Sequence, residues 1–141
     1  MLVRLLYVSR SVNPESNEAT ESILASSRAH NLSHGITGVL CYGGGIYLQA
    51  IEGGRNQVNA LYTHIVKDPR HKDVVILAYE EISERRFGGW TMGHVRLDKL
   101  NPSIVLKYSE TPELDPYGVS GNVSFALLEE LMATASIVGR A

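Results

Sequence analysis

The chain lacks most of the features that mark a specialised class of protein. Its 141 residues include one cysteine, Cys41, which excludes a disulfide within the chain and lies in an apolar run that predicts a buried, unreactive thiol. A net charge of −2 at pH 7 gives no electrostatic reason to expect nucleic acid or an anionic membrane as a partner. The N-terminal apolar run breaks at Arg4, too early for a signal peptide or a membrane span. We therefore expect a cytoplasmic protein.

What is present is an ordinary globular composition, with 44% hydrophobic and 20% charged residues, in a chain long enough for one core. Apolar patterns predict strands at residues 2–9, 35–41, 46–52, 73–82 and 90–97. Helical periodicity and capping residues predict helices at residues 16–30, 55–67, 104–107 and 122–137. This order indicates an α+β, ferredoxin-like β-α-β-β-α-β fold with a fifth strand and two helices on one sheet face. Because the first strand is apolar on both faces, we expect the C-terminal helices on the other face.

Three consecutive glycines, Gly43, Gly44 and Gly45, join the second and third predicted strands. A phosphate-binding glycine loop leads from a strand into a helix N-terminus, whereas these glycines connect strand to strand. The sequence therefore predicts a hairpin turn rather than a nucleotide site.

Two polar side chains stand out on apolar strands. Gln49 interrupts the run from Ile46 to Ile51, and at period two it shares a face with Tyr47 rather than with solvent. A buried amide without partners would cost about 1–3 kcal/mol, so a polar group must stand opposite it. Tyr7, on the first apolar strand, can supply that group if the first and third strands are neighbours.

Several short motifs, in this order, resemble the BLUF family of blue-light sensors that use a flavin. Each motif is weak alone, but the ordered set is specific and spans residues 1–97. The motifs are the strand Arg4-Leu5-Leu6-Tyr7-Val8-Ser9, the block from Asn31 through Gly35-Ile36-Thr37-Gly38-Val39-Leu40, Gln49 with Glu52-Gly53, Asp68-Pro69-Arg70-His71, and Trp90-Thr91-Met92.

The resemblance implies a photoreceptor that binds FAD, with FMN as an alternative, and that is not an enzyme. It implies that Tyr7 supplies an electron and a proton and that Gln49 then changes its hydrogen bonds. Trp90 and Met92, which the strand pattern places on one face, would relay this change. The implied cofactor-binding residues are Tyr7, Ile23, Ser27, Asn31, Ile36, Leu40, Gln49, Asp68, Arg70 and His71. His30 and His64 are expected to be ordinary surface or core-edge residues, although His64 stands where some relatives have an arginine.

Residues 1–97 would form the BLUF flavin-binding domain and residues 98–141 a helical extension that packs on the sheet. No cyclase or phosphodiesterase sequence follows residue 97, so we expect output through binding to a protein partner of unknown identity. A homo-oligomer is also expected. The amphipathic pattern of the last predicted helix, residues 122–137, suggests that its packing or binding changes with light.

Three other functions are compatible with parts of the sequence. An acylphosphatase-like hydrolase would use Arg10 and Asn13 in the loop after the first strand. A flavin sensor that forms a cysteinyl adduct would use Cys41, although that family places its cysteine in a different motif on a helix. An interaction module that has lost its ligand would have no need to keep Tyr7, Asn31 and Gln49 together.

Overall fold

The computed structural model describes residues 1–14, 16–134 and 137–138. The strands are β1 (Leu2–Ser11), β2 (Thr37–Gly43), β3 (Ile46–Gly54), β4 (His71–Ile82) and β5 (Gly93–Arg96). The α-helices are α1 (Glu18–Asn31), α2 (Arg55–Lys67), α3 (Pro102–Leu106) and α4 (Gly121–Ala133). The five strands form one sheet in the order β4-β1-β3-β2-β5. This arrangement confirms the predicted ferredoxin-like fold with an added fifth strand.

Each face of the sheet carries its own apolar cluster. Successive residues of β1 point to opposite faces, so Tyr7 and Leu6 belong to different clusters. The cluster around Tyr7 includes residues from the first two helices, Leu24 of α1 and Val58 of α2. The cluster around Leu6 includes α4 residues, namely Leu127, Leu128 and Leu131. Helices therefore cover both faces, as the apolar pattern of β1 predicted.

The central strands bring the two unusual polar residues together. β1 and β3 are antiparallel neighbours, and their register places Tyr7 directly opposite Gln49. Directly paired residues on one face have Cβ atoms about 5 Å apart, within reach of a side-chain hydrogen bond. The expectation that these strands are neighbours is correct.

The glycines between β2 and β3 form the predicted hairpin turn. Gly44 and Gly45 have φ values of 59° and 78°, a backbone conformation that favours glycine. A different constraint applies at Gly38 of β2, where an added Cβ would lie 2.1 Å from the Ala50 carbonyl oxygen. Glycine is needed there because β3 approaches too closely for any side chain.

The last strand is shorter than predicted, and this corrects the expectation for Trp90 and Met92. β5 begins at Gly93, so both residues lie in the irregular segment before it, where strand alternation does not apply. Trp90 packs in the cluster on the α4 side of the sheet, whereas Met92 packs in the cluster around Tyr7. The prediction that they share a face is wrong.

A buried carboxylate holds the segment that leads to β5. Glu52 of β3 is fully buried and accepts hydrogen bonds from the backbone N–H groups of Arg86 (3.0 Å) and Phe87 (2.6 Å). It also pairs with the Arg4 Nε atom at 2.8 Å. The Arg4 guanidinium lies over the Phe125 ring of α4, 4.4 Å from its centroid. One charged group thus ties β1, β3 and the β4–β5 connection together beneath α4.

The chain after α4 differs from the predicted helix to residue 137. Helix α4 ends at Ala133, and residues 135 and 136 of the predicted helix lie outside the described residues. Val138 instead forms an antiparallel bridge with His94 of β5. Within the described part of the chain, none of the helices has the length and apolar character needed to cross a membrane.

Candidate functional site

A cavity of about 320 Å³ lies between α1, α2 and the sheet, within the usual size range for small-molecule sites. Both helices and four strands, β1 to β4, contribute to it. Its lining consists of Tyr7, Ile23, Ser26, Ser27, His30, Asn31, Leu40, Tyr47, Gln49, Leu61, His64, Ile65, Asp68, Arg70 and His71.

A chain of hydrogen bonds leads from the floor of this cavity to the buried Met92, which does not line it. The Tyr7 hydroxyl donates to Gln49 Oε1, and Gln49 Nε2 donates to the Met92 sulfur at 3.3 Å. Burial raises the pKa of the Tyr7 phenol well above its ordinary value, and the charge of Asp68 raises it further. Tyr7 is therefore a neutral donor at physiological pH, and its proton points at the glutamine oxygen.

Asn31 provides a polar group at the end of α1. Its side chain is buried, and Nδ2 donates to the Thr91 carbonyl at 3.4 Å. Its Oδ1 atom has no hydrogen-bond partner among the residues that the structure describes. An unsatisfied buried acceptor costs about 1–3 kcal/mol, so this atom suits a ligand that brings an N–H group into the cavity.

The opposite end of the cavity contains an ion pair. Asp68 accepts from Arg70 Nε at 2.9 Å and from the Arg70 backbone N–H at 2.9 Å. These bonds hold the pKa of the Asp68 carboxyl below its usual value. Arg70 Nη1 also donates to the Ser22 hydroxyl of α1 at 2.9 Å, so the pair joins the α2–β4 turn to α1. The polar group at this end is fixed before any ligand binds.

His71 is held by hydrogen bonds on both ring nitrogens. Its Nδ1 atom lies 2.7 Å from the Ser9 hydroxyl, and Nε2 contacts the Ile65 carbonyl oxygen. A carbonyl can only accept, so Nε2 carries a proton and donates to it. The ring is thereby fixed edge-on to Tyr7, with centroids 6.3 Å apart.

The structure brings most of the predicted cofactor-binding residues to one place. All of them line the cavity except Ile36, which is buried in the same apolar cluster as Tyr7 and does not line it. Of the two predicted relay residues, Met92 contacts Gln49, whereas Trp90 lies on the other sheet face.

Sequence reasoning missed several lining residues. His30 and His64 were expected to be ordinary histidines, but both line the cavity from facing helices. Leu61, His64 and Ile65 recur at helical spacing on one face of α2, a pattern that would have found them. The remaining missed residues are Ser26 and Tyr47.

Residues 2–93 match the model of one protein family, BLUF, described as sensors of blue light using FAD. The chain belongs to the BLUF family. The photoactivated adenylate cyclase subunit alpha of Euglena gracilis is 40% identical over 87 residues. The aligned part is 62% of this BLUF chain but only 8% of that protein, so the likeness concerns the sensor region alone.

Two solved BLUF structures resemble the whole chain. The dark-state structure of BlrB is 32% identical, with a TM-score of 0.79, and the match covers 95% of this chain and 96% of BlrB. The photo-activated state of BlsA is 28% identical, with a TM-score of 0.84, and the match covers 100% of this chain and 99% of BlsA. The BLUF chain therefore has the fold of these proteins over nearly all of the given sequence.

Proposed function

We propose that this BLUF chain is a blue-light photoreceptor that holds one flavin noncovalently between α1 and α2. The observation that carries the proposal is the hydrogen-bonded pair Tyr7–Gln49 on the floor of a cavity, linked to the buried Met92 behind Gln49. In the same cavity, Asn31 Oδ1 needs a hydrogen-bond donor. The residues that would hold the ring are Tyr7, Ile23, Ser27, Asn31, Leu40, Gln49, Asp68, Arg70 and His71, with Ile36 behind them. FAD is the proposed flavin, and FMN is the alternative.

The flavin, when bound, supplies absorption of blue light and a strong photochemical oxidant. Tyr7 supplies an electron, and its hydroxyl proton is directed at Gln49 Oε1, the atom to which it donates a hydrogen bond. Gln49 has an acceptor and a donor end. If its amide rotates by half a turn, the group facing Met92 changes from a donor to an acceptor, whereas a tautomerised amide would keep one N–H and gain a lone pair on Nε2. The rotated state has a clear consequence for Met92. A thioether sulfur cannot donate, so the hydrogen bond to Met92 is lost. The state of Gln49 thus determines whether Met92 is held.

Absorption spectra of the purified protein, in the dark and under blue light, test this function. We expect bound flavin, a small red shift on illumination, and thermal recovery in the dark. Gln49→Leu should keep the flavin and lose the shift, because the other lining residues still hold the ring. Tyr7→Phe should lose the shift by removing the donor.

Tyr62→Phe is the matched control, since the Tyr62 ring lies 6.1 Å from the Tyr7 ring but donates nothing to Gln49 in the described contacts. The flavin absorption of this variant should show the same light-induced red shift as that of the wild type. A protein that stays colourless after reconstitution with FAD and with FMN would show that the proposed function is wrong. A normal reversible shift in Gln49→Leu or Tyr7→Phe would reject the assigned pair.

The alternative chemistries lack support in the structure. Arg10, which a hydrolase would need for an anion, lies over the Tyr117 ring at 4.2 Å and pairs with Asp73 at 3.7 Å. Cys41 is fully buried on the α4 side of the sheet, and burial raises the pKa of its thiol to about 12. It does not line the cavity, so an adduct-forming role is not supported.

The division into a sensor domain, residues 1–97, and a C-terminal extension, residues 98–141, is part of this proposal, as are the homo-oligomer and the protein partner. The contacts of α4 with the sheet support an extension that packs against the sensor. Limited proteolysis between residues 98 and 121 would test whether the first part keeps its flavin alone.

A further inference from the structure

The outer edge of β5 is occupied by the chain's own C-terminal segment. One edge of β5 pairs with β2, and on the other edge the His94 N–H donates to the Val138 carbonyl at 2.8 Å. The Val138 N–H donates back to the His94 carbonyl at 3.0 Å. The Ile137 side chain enters the apolar cluster beside Trp90 and Val95. The segment therefore makes the contacts of a short added strand.

This edge has room for one branched apolar side chain. A Cβ added at Gly93 would lie 2.6 Å from Ile137 Cγ2 and 2.6 Å from Trp90 Cδ1. Ile137 thus occupies space that the absence of a side chain at Gly93 leaves beside Trp90. The Val138 side chain, in contrast, is exposed. Recognition here needs two backbone hydrogen bonds and one anchor, which is the pattern of β-strand addition.

The same residues are adjacent to the photoactive pair. Met92, which accepts the hydrogen bond from Gln49, precedes Gly93 and stands two residues before His94. Arg28 of α1 donates to the Met92 carbonyl at 3.4 Å and lies 3.0 Å from His94 Nδ1. Burial and the charge of Arg28 both lower the pKa of His94, so the neutral ring can accept this hydrogen bond. A displacement of Met92 therefore acts on the residue that Val138 pairs with.

We propose that the outer edge of β5 is a strand-binding surface, covered in the dark by Ile137–Val138 and opened by light to an extended segment of a partner protein. The light dependence of this inference rests on the proposed photochemistry. The existence of the binding surface does not. The partner segment should present a β-branched apolar residue in the place of Ile137, flanked by backbone that can form the two hydrogen bonds. Proline at the position of Val138 would prevent binding, because it lacks the N–H group.

Amide hydrogen exchange at His94, measured residue by residue on the full chain, tests the covering segment. In the dark the wild type should be protected. Val138→Pro should raise exchange at His94 by about tenfold or more, because it removes one bond of the pair and disturbs the other. Val138→Ala, the matched control at the same exposed position, should keep the wild-type rate. Under continuous blue light the wild type should approach the rate of Val138→Pro.

A fluorescent peptide with the sequence of residues 135–141 serves as the binding probe. It should bind the lit wild type about 5- to 150-fold more tightly than the dark state, which is the range of a coupling between two sites. Val138→Pro should bind it in the dark as tightly as the lit wild type does. The same peptide carrying proline in place of Val138 should not bind.

Three outcomes would overturn the proposal. The first is a wild-type protein that shows the normal red shift but has the same His94 exchange and the same peptide affinity in the dark and in the light. This outcome would leave the proposed photoreceptor function intact. The second is Val138→Pro with wild-type exchange at His94 in the dark, which would show that the segment does not cover the edge. The third is a light-induced dimer, seen by sedimentation, that the peptide does not dissociate; this would replace the partner protein with a second copy. Loss of the red shift alone would reject the photochemistry, while the dark measurements would still decide the binding surface.

Discussion

Replacing Arg4 with methionine should destabilise the fold strongly without affecting the photochemistry. The substitution keeps much of the side-chain volume but removes the cation that faces Glu52. The side chains of this pair are 10% and 0% exposed, so the remaining carboxylate cannot be solvated. Removing one partner of a buried ion pair costs about 3–5 kcal/mol.

The structure favours the lower end of this range. Glu52 would still accept hydrogen bonds from the backbone N–H groups of Arg86 and Phe87, which stabilise the charge. Loss of the contact between Arg4 and the Phe125 ring adds about 0.5–1 kcal/mol. A total of about 3.5–4 kcal/mol corresponds to a fall in Tm of about 10–15 °C for a domain of this size.

Urea and thermal unfolding in the dark, at saturating flavin for every variant, measure this loss. The double variant Arg4→Met/Glu52→Gln should be more stable than Arg4→Met by about 1–2 kcal/mol, because no buried unpaired charge remains. Glu80, the second carboxylate that pairs with Arg4, is 55% exposed and stays solvated in both variants. Arg55→Met, which breaks an exposed pair with Glu81, is the control and should cost no more than about 1 kcal/mol.

The light-induced red shift should be normal in Arg4→Met, because neighbouring residues of β1 alternate between the two faces and Arg4 lies on the face opposite Tyr7. A destabilisation below about 1 kcal/mol, or a double variant no more stable than the single one, would refute the reasoning about the buried charge.

Three further predictions concern the site and its support. The pKa of the Asp68 carboxyl is lowered in the folded state by its pair with Arg70. The pair therefore stabilises the fold fully at pH values above the pKa of Asp68 in the unfolded chain, which is about 4. This stabilisation is lost as the pH falls through the lower pKa of the folded state. The difference in unfolding free energy between wild type and Asp68→Asn, about 1 kcal/mol after solvent screening, should therefore shrink below pH 4, and a constant difference would contradict this. Gly38→Ala should reduce the yield of folded protein or lower Tm by several degrees, since its Cβ meets the Ala50 carbonyl, and an unchanged Tm would show that β2 can shift. Met92→Ala should keep the red shift but reduce the difference in hydrogen exchange between dark and light at residues 93–96. A difference as large as that of the wild type would show that Met92 does not transmit the change at Gln49 to β5.

The contact between Tyr7 and Gln49 was predictable because it depends only on regular structure. Both residues lie inside long strands, where alternation fixes the face, and the ferredoxin-like order makes β1 and β3 neighbours. Ile23, Ser27 and Asn31 recur every four residues, so helical geometry places them on one face of α1 in the same way. Local periodicity was sufficient for these positions.

The arrangement of Trp90 and Met92 was not predictable from periodicity, because the segment before β5 is held by tertiary contacts. The buried carboxylate of Glu52, far away in sequence, fixes the backbone at Arg86 and Phe87. Gly38 N–H donates to the Trp90 carbonyl at 2.9 Å, which fixes the segment again before β5 starts. No pattern within residues 83–92 reports these partners.

The strengths of the contacts on either side of Met92 decide where a change at Gln49 should travel. Towards the N-terminus, the chain is fixed by two hydrogen bonds to the buried, charged Glu52, each worth about 1.5–3 kcal/mol. Towards the C-terminus, β5 pairs with β2 on one edge, whereas Val138 is held on the other edge by two neutral backbone bonds, each worth about 0.5–1.5 kcal/mol. A displaced Met92 should therefore release Val138 from the outer edge of β5 before it disturbs the β4–β5 connection. Light-dependent hydrogen exchange concentrated at residues 86–87 rather than at residue 94 would reverse this order.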